Sequence, residues 1–502
     1  MPPPRTARLV VVTPAGVLLG SLPPYRVATP WWQDAEAVVR GAREHLDADV
    51  TVLRMLAADR PAPPGGLVTY LAETAATPPG LQPWSGRLDE HPLRAPWARP
   101  GGPAADLGWA DAALARHGMS RAGPARQMIA WNLSSVWRLP VPGGAVWMKH
   151  VPSFFHHEGR VLARMAGAPV PELVAHDGGR ILMHEIPGED LHGAEPPVLE
   201  RLVDLLVGLQ HAWTARVAEL LALGLPDWRG PALTAAIAGV VDRTAGQLAP
   251  ADRAVLAAFV EGLPERFRAI AEAGLPDTLV HGDFHPGNAR GHGTSLVLLD
   301  WGDSSVGHPL LDQPAFLGRV PAPALSRIHE AWNQAWRRAI RGAEPERAAA
   351  LLAPVAAARQ AVVYRGFLDL IEPSEHPYHA ADPADWLART AALVRDSSGR
   401  RPVQPVRAPS RVKGVPLRTN VPNERQEAPM SQGKLTGDHE SGAEAGNERN
   451  EGRPAGTPAA TEADRGRPEP AREDSTPDAA TTVAPEERGE EPETEHAPGS
   501  DL

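Results

Sequence analysis

Residues 279–288 read LVHGDFHPGN, and this stretch decides how the surrounding chain folds. Its apolar start is typical of a short strand, and the glycines and proline that follow predict a tight loop. A second apolar segment begins shortly afterwards and runs into the sequence LVLLDWGD at residues 296–303. We therefore expect two short strands to bring Asp283, Asn288 and Asp300 towards one cleft.

These three side chains suit the transfer of a phosphoryl group from a nucleotide. The metal ion that accompanies a nucleotide needs hard oxygen ligands, which carboxylate and amide groups supply. The acceptor hydroxyl needs a carboxylate that orients it and takes its proton. The spacing of the two segments predicts that both requirements are met in one place.

Together the two segments resemble the catalytic loop and the metal-binding segment of aminoglycoside phosphotransferases and choline kinase-like relatives, which share the protein-kinase fold. The resemblance implies that Asp283 is the catalytic base and that His285 lies near the transferring phosphate. It implies Asn288 and Asp300 as ligands of Mg²⁺, ATP or GTP as donor, and a small-molecule hydroxyl as acceptor. The identity of the acceptor stays open, because one fold serves many substrates.

Lysine occurs at only three positions, Lys149, Lys413 and Lys434. Lys149 ends an apolar, strand-like segment that follows a Gly-Gly turn. A compact ammonium group reaches nucleotide phosphates where a planar guanidinium fits poorly. We therefore expect Lys149 to bind the nucleotide, with Glu158 on the next helix as its partner.

Residues 131–137, WNLSSVW, stand where protein kinases have a glycine-rich phosphate loop. Backbone amides and the hydroxyls of Ser134 and Ser135 can contact phosphates there, although plain turn residues are an equal alternative. His156 and His157, farther along, are expected to be ordinary exposed residues.

Residues 180–191, RILMHEIPGEDL, resemble the hinge that joins the two lobes of a kinase-like fold. By this resemblance Met183, His184 and Ile186 lie at the nucleotide, and backbone groups at this position bind its base. The alternative is an ordinary strand followed by a Pro-Gly turn. The order of motifs along the chain favours the hinge.

The predicted fold class is α+β, with a two-lobed kinase-like domain as its main part. We expect a small α/β module at 1–90, a linker at 91–122 that can be helical in part, the kinase-like domain at 123–396 (N-lobe 123–186, C-lobe 187–396) and a disordered acidic tail at 397–502. Residues 401–502 hold 13 Lys and Arg against 20 Asp and Glu and lack apolar periodicity. Such a segment buries too little apolar surface to offset its ordering entropy.

The N-terminal module is expected to contain two strands around a turn at 14–16, a helix at 33–46 and two further strands at 50–56 and 66–72. Its helix faintly resembles that of a Nudix domain through Arg43 and Glu44. The acidic pair expected shortly afterwards is replaced by Asp47 and Ala48. We therefore predict a degenerate, non-catalytic module.

Helices after residue 320 are expected to form the acceptor pocket, at 324–341, 344–371 and 383–395. Glu330, Asp369 and Glu372 lie in or beside them and could attract a cationic acceptor. Each of these acids is more typical of a solvated surface charge.

Composition narrows the function further. The chain has 502 residues, no cysteine and a net charge of -11. The absence of cysteine excludes disulfides and fits a cytoplasmic protein, while the acidic balance argues against nucleic-acid partners. Neither a signal peptide nor an apolar run of membrane-spanning length is apparent. A partner for the tail is not predictable.

Two other functions remain open. His281, Asp283 and His285 alternate in the manner of metal ligands, which would suit a metal-dependent hydrolase. A non-catalytic kinase-like scaffold that senses a ligand is the second alternative. It is disfavoured because the candidate lysine, base and metal ligands are all present together.

Overall fold

The computed structural model describes residues 2–398. Its first part is a mixed five-stranded sheet made of β1 (Arg5–Val12), β2 (Leu18–Ser21), β3 (Tyr25–Val27), β4 (Thr51–Ala58) and β5 (Gly66–Glu73). β1 pairs in parallel with β5 and antiparallel with β2 and β3. Helix α1 (Ala35–Leu46) begins after Asp34, whose side chain accepts a hydrogen bond from the Ala37 N–H. The elements predicted here are confirmed, and the likeness to a Nudix domain stays a prediction.

The segment expected to be a linker, 91–122, contains helix α2 (Gly102–Arg116). Ala110, Ala113 and Leu114 of this helix are buried against the sheet of the N-lobe. The linker prediction is therefore wrong for α2. The alanine-rich composition agrees with a helical part, since alanine is the strongest helix former, but it does not show that this helix packs on a sheet.

The N-lobe is an antiparallel sheet of five strands in the order β6-β7-β8-β10-β9. The strands are β6 (Arg126–Trp131), β7 (Ser134–Val141), β8 (Gly144–His150), β9 (Leu173–Asp177) and β10 (Arg180–His184), with helix α3 (His157–Arg164) between β8 and β9. Side chains alternate between the two faces of a strand. Val146 and Met148 of β8 therefore pack with α2, while Trp147 and Lys149 line a cleft on the other face.

The C-lobe is mostly helical. Its helices are α4 (Pro196–Trp213), α5 (Val217–Ala222), α6 (Gly230–Thr244), α7 (Pro250–Glu261), α8 (Leu263–Ala271), α9 (Gln313–Leu317), α10 (Leu325–Ala339), α11 (Pro345–Leu370) and α12 (Asp382–Ser398). Five short strands complete it: β11 (Glu189–Asp190), β12 (Thr278–Val280), β13 (Ala289–His292), β14 (Ser295–Leu298) and β15 (Ser305–Gly307). β12 and β14 confirm the two strands predicted around the catalytic motif, and α10, α11 and α12 confirm the three late helices.

The N-terminal module contacts the N-lobe along β6. The Gln127 amide accepts from the Val52 N–H at 2.9 Å and donates to the Val52 carbonyl oxygen at 2.7 Å. The Ala130 N–H donates to the carbonyl oxygen of Gln33 at 3.1 Å. The module therefore extends the N-lobe sheet at its edge with backbone and amide hydrogen bonds.

The same module also contacts the C-lobe, at a 3-10 helix that spans Pro373–Tyr378. The Met55 N–H donates to Glu375 Oε1 at 2.8 Å. The ring of Tyr378 packs edge-to-face on that of Trp32, with centroids 5.6 Å apart. Contacts to both lobes make residues 2–90 an integral part of the described structure.

Among residues 2–398, no helix combines the length and apolar character that a membrane crossing requires. Of the segment predicted as a disordered tail, residues 397 and 398 end α12. The remainder of that prediction lies outside the described residues.

Candidate active site

A cleft lies between the N-lobe sheet and the loops of the C-lobe. Eight of the residues predicted for the site line it: Ser134, Lys149, Glu158, Met183, His184, Ile186, Asn288 and Asp300. Apolar side chains of Ile129, Val136, Trp147 and Leu299 form much of the remaining wall. A pocket with an apolar wall and a few convergent polar groups is typical of a ligand site.

Three charged side chains, which we call the cleft cluster, meet at its inner end: Lys149, Glu158 and Asp300. Lys149 Nζ donates to Glu158 Oε1 at 2.7 Å and to Asp300 Oδ1 at 2.6 Å. The side chains of Lys149 and Glu158 are 13% and 2% exposed, whereas that of Asp300 is 45% exposed. The lysine is thus fixed from both sides, and one carboxylate remains accessible from the cleft.

The three side chains of the cleft cluster shift one another's pKa values. Burial alone would lower the pKa of Lys149, but the carboxylates of Asp300 and Glu158 outweigh it and hold that pKa above its usual value. Burial raises the pKa of Glu158, and Lys149 offsets part of that rise. For Asp300 burial is outweighed by Lys149, so its pKa is lowered. Lys149 and Asp300 are therefore both charged at neutral pH.

Asp300 occupies the left-handed backbone region, with φ of 62°. Such a conformation is uncommon outside glycine and tends to be retained at functional positions. The preceding N–H, of Leu299, donates to the Asn288 carbonyl oxygen at 2.8 Å. This bond ties the segment that carries Asp300 to the loop that carries Asn288.

Asp283 and Asn288 are neighbours in this loop. Asn288 Nδ2 donates to the Asp283 carbonyl oxygen at 2.9 Å and to Asp283 Oδ2 at 3.3 Å. The predicted base and one predicted metal ligand therefore lie side by side. Phe284, between them in sequence, is buried and stacks on Phe316 with centroids 4.7 Å apart, which fixes the loop to the C-lobe core.

His285 is buried beneath this loop. Its Nδ1 accepts from the Gly287 N–H at 3.0 Å, so the ring proton is on Nε2, which lies 3.7 Å from Asp283 Oδ2. Burial lowers the pKa of His285 to about 4, despite the opposing effect of Asp283, and the ring is neutral at pH 7. These contacts are those of a positioning residue, and a direct contact with the transferring phosphate stays a prediction.

Hydrogen bonds to its backbone fix the start of the loop that carries Asp283. Asp312 accepts from the His281 N–H at 2.8 Å and from the Gly282 N–H at 2.7 Å, and so anchors the loop. Gly282 has φ of +90°, and a Cβ there would lie 2.0 Å from the Asp303 carbonyl oxygen. Buried Arg359 donates to the Gly282 carbonyl oxygen at 3.3 Å. Only glycine permits this close crossing of two loops.

His281 serves the loop rather than a metal. Its Nε2 lies 2.9 Å from the Leu299 carbonyl oxygen, and its ring packs on Trp301 with centroids 4.5 Å apart. Within residues 2–398, no three His, Asp or Glu side chains are grouped as a metal site. The contacts of His281 match the packing role that the kinase-like interpretation gives it.

The two predicted phosphate-binding serines differ in position. Both begin strand β7 and do not lie in the turn before it. Ser134 lines the cleft, and its Oγ accepts from Trp131 Nε1 at 3.0 Å. Ser135 is buried, and its Oγ accepts from Trp137 Nε1 at 3.0 Å. The geometry therefore favours Ser134 over Ser135 as a contact for phosphate.

The turn between β6 and β7 consists of Asn132 and Leu133, and it is anchored on the C-lobe. Asn132 Nδ2 donates to the Glu375 carbonyl oxygen at 3.3 Å, and its Oδ1 lies 3.2 Å from His379 Nε2. Leu133 is buried in a cluster that includes Phe367. The hairpin is thus held down over the cleft.

The predicted hinge follows β10. The N–H groups of His184 and Glu185 donate to the carbonyl oxygens of Glu172 and Ala145 at 2.9 and 3.2 Å. Between described residues no hydrogen bond uses the Ile186 N–H, whereas the Ile186 carbonyl oxygen accepts from Arg290 Nε at 2.8 Å. Ile186 lines the cleft, and its contact with a nucleotide base stays a prediction.

Two expectations about polar residues are wrong. His157 is buried rather than exposed, next to backbone of Gly302 and Ser304, and burial lowers its pKa to about 4. Glu372 is buried rather than solvated, and its carboxylate binds Arg94 at 3.1 Å. Both errors arise because burial of a polar side chain depends on chain segments that are distant in sequence.

Glu330 and Asp369 do carry surface ion pairs. Asp369 binds Arg243 at 2.7 Å and also binds Arg365. Glu330 lies 3.8 Å from Arg337. Neither lines the cleft.

Sequence reasoning also missed Gln33, which lines the cleft from the N-terminal module. No local motif marks this residue. Its position follows from the pairing of the module with β6.

The two-lobed fold and this cleft define a kinase-like domain. Residues 134–361 match the model of the phosphotransferase enzyme family. The resemblance of the two catalytic segments is thereby confirmed. None of the curated proteins compared is similar enough in sequence to match the chain.

Solved structures of phosphotransferases are similar over somewhat more than half of the chain. The macrolide 2'-phosphotransferase MphH from Brachybacterium faecium shares 20% identity, covering 54% of this chain and 97% of that one, with a TM-score of 0.39. A choline/ethanolamine kinase family protein from Mesorhizobium loti shares 17% identity, covering 58% and 99%, with a TM-score of 0.41. These similarities are too distant to assign a substrate.

Proposed function

We propose that the domain transfers the γ-phosphoryl group of ATP or GTP to a hydroxyl group of a small molecule. The cleft cluster is the observation that carries this proposal. A lysine held between a buried glutamate and an accessible aspartate is the arrangement that fixes nucleotide phosphates in kinase-like enzymes.

Asn288 and Asp300 fit a magnesium ion. Both offer oxygen atoms, the ligands that Mg²⁺ prefers, and both line the cleft. The Asn288 amide nitrogen is used by Asp283, which leaves its oxygen for the ion. When bound, Mg²⁺ neutralises charge that develops on the phosphates.

Each of the site residues has a separate role in the proposed reaction. The backbone at Ile186 binds the base, and Lys149 fixes the phosphates. Asp283 orients the acceptor hydroxyl in line with the γ-phosphate and takes its proton while the new O–P bond forms. The bond to the bridging oxygen breaks, and the nucleoside diphosphate leaves. His285 and Asn288 hold Asp283 in the orientation that this step needs.

Nucleotide binding and transfer are tested separately. Thermal shift with ATP or GTP and Mg²⁺ is expected to stabilise the wild type by roughly 3–4 kcal/mol at 100 to 1,000 times Kd. Asp300→Asn should lose this stabilisation, and Asp283→Asn should keep it. Asp204→Asn, the same change in an exposed ion pair of α4, is the control and should behave as wild type.

Transfer is measured as nucleoside diphosphate released in the presence of a panel of hydroxyl compounds, metabolites and aminoglycosides. Asp283→Asn is expected to lower turnover with any acceptor found by about 10²- to 10⁴-fold. Normal turnover of this variant would show that Asp283 is not the base. A wild type that binds neither nucleotide would favour the non-catalytic ligand sensor.

A further inference from the structure

One residue that lines the cleft comes from the N-terminal module and not from the region that matches the family model. Gln33, which lies between β3 and α1 of the N-terminal module, lines the cleft beside Ile129 and Trp131. Its carbonyl oxygen accepts from the Ala130 N–H at 3.1 Å, and Asp34 forms an isolated β-bridge with Ile129. The backbone of Gln33 is therefore fixed against β6, at the open edge of the N-lobe sheet.

The side chain of Gln33 has polar atoms that the protein does not use. The residue is 4% exposed, and its Oε1 is buried with no hydrogen-bond partner among residues 2–398. No hydrogen bond from its amide nitrogen to a described residue is present either. A buried amide without partners is costly, and such groups are expected where a ligand completes them.

The strand register indicates which part of a nucleotide would lie there. Asp34 pairs with Ile129, Ile129 with Val136, and Val136 with Lys149. Gln33 precedes Asp34, so it lies within one residue of the level of the lysine proposed to bind phosphate. The hinge is elsewhere, because Met183 pairs with Trp147, two residues away along β8. The neighbour of Gln33 is therefore the sugar or a phosphate, and the base lies farther along the sheet.

The hydrogen-bonding groups of the Gln33 amide favour the sugar over a phosphate as its neighbour. A phosphate oxygen only accepts hydrogen bonds, so it cannot satisfy Oε1. A ribose hydroxyl both donates and accepts, so it satisfies either end of a primary amide. We propose that Gln33 binds a ribose hydroxyl of the nucleotide, so that the N-terminal module supplies part of the nucleotide site. This inference rests on the nucleotide binding proposed above.

The test compares sugars in two proteins. Isothermal titration with Mg²⁺ and ATP or GTP, and with their 2'-deoxy and 3'-deoxy counterparts, is done on the wild type and on Gln33→Met. Methionine keeps the length of the side chain and removes its hydrogen bonds. Gln247→Met, the same change at an exposed position, is the control.

We expect Gln33→Met to bind the ribonucleotide about three- to tenfold more weakly than the wild type, the effect of one neutral hydrogen bond. In the wild type one of the two deoxynucleotides should be weaker by a similar factor. In Gln33→Met that deoxynucleotide and the ribonucleotide should bind equally. Gln247→Met should match the wild type with every nucleotide.

Three results would overturn the inference. Equal affinity of the wild type for all three sugars would do so without any variant, even if Gln33→Met failed to fold. If folded Gln33→Met binds the ribonucleotide with unchanged affinity, the role of Gln33 is wrong and the proposed function still stands. A wild type that binds no nucleotide would remove both proposals, and this outcome is distinguishable because it appears before any substitution.

Discussion

The cleft cluster has a counterpart elsewhere in the molecule. Arg54, Arg94 and Glu372, which we call the interface cluster, meet between the N-terminal module and the C-lobe. Arg94 binds Glu372 at 3.1 Å, and Arg54 lies 3.6 Å from the same carboxylate. None of these three side chains is more than 7% exposed.

The two clusters contain similar groups but differ in access. In the interface cluster every charge is enclosed and lies next to an opposite charge, which suits a cluster that holds two parts of the chain together. In the cleft cluster Asp300 is nearly half exposed. A charge cluster that leaves one member open to a cleft can exchange a protein partner for a ligand, and we take this difference to separate a binding role from a structural one.

The largest effect should come from breaking the interface cluster. Glu372→Gln keeps the shape of the side chain but removes the buried carboxylate that Arg54 and Arg94 share. Loss of one partner of a buried ion pair costs about 3–5 kcal/mol of stability. The midpoint of urea unfolding, followed by tryptophan fluorescence, should fall accordingly. Glu200→Gln, in an exposed ion pair with Arg327, is the control and should change little. Equal effects of the two variants would contradict the structural role.

Breaking the cleft cluster should affect nucleotide affinity more than stability. In Lys149→Met the exposed Asp300 stays hydrated and Glu158 takes up a proton, so unfolding should shift less than in Glu372→Gln. Nucleotide affinity should fall about ten- to a hundredfold, the effect of a charge-assisted hydrogen bond. Titration calorimetry measures the affinity, and urea unfolding measures the stability. The comparison fails if this variant unfolds more easily than Glu372→Gln while it still binds nucleotide normally.

The smallest expected effect is a dependence of the free energy of unfolding on pH. Burial raises the pKa of Glu375, beside the interface cluster, to about 8. The folded chain then keeps a proton that the unfolded chain loses near its ordinary pKa. The protonated carboxyl group therefore contributes its full stabilisation below the ordinary pKa of glutamate. This contribution is lost as pH rises from there towards 8, at about 1.4 kcal/mol per pH unit. Glu375→Gln should remove this dependence.

Urea unfolding of both proteins at several pH values between about 6 and 8 tests this expectation. The wild type should lose stability relative to Glu375→Gln as pH rises through this range. Glu346→Gln, in an exposed ion pair with Arg337, should keep the wild-type dependence. Parallel curves for the wild type and Glu375→Gln would show that this carboxyl group is ionised in the folded protein.

The parts of the site that the sequence predicts are those carried by short segments. Asp283, Asn288 and Asp300 lie on two strand-loop segments that are close in sequence, so local spacing is enough to bring them together. Lys149 stood out because the chain otherwise relies on arginine. Glu158 could be paired with it because one strand and the following helix fix their separation.

The rest depends on contacts between distant segments, and no local pattern records them. α2 was mistaken for a linker because its burial requires the sheet that follows it. Glu372 and His157 are buried by segments far away in the sequence. Gln33 reaches the cleft only because the N-terminal module pairs with β6, a contact that neither partner reveals alone.

The contact of the N-terminal module with both lobes has a consequence for nucleotide exchange. Two-lobed kinases commonly open and close by rotation about the hinge. Here a third body is bonded to β6 on one side of the hinge and to the helix at Pro373–Tyr378 on the other. Any such rotation must first break one of these two contacts. If the cleft binds a nucleotide as proposed, we expect the rate of its entry and release to depend on the strength of this interface as well as on the hinge.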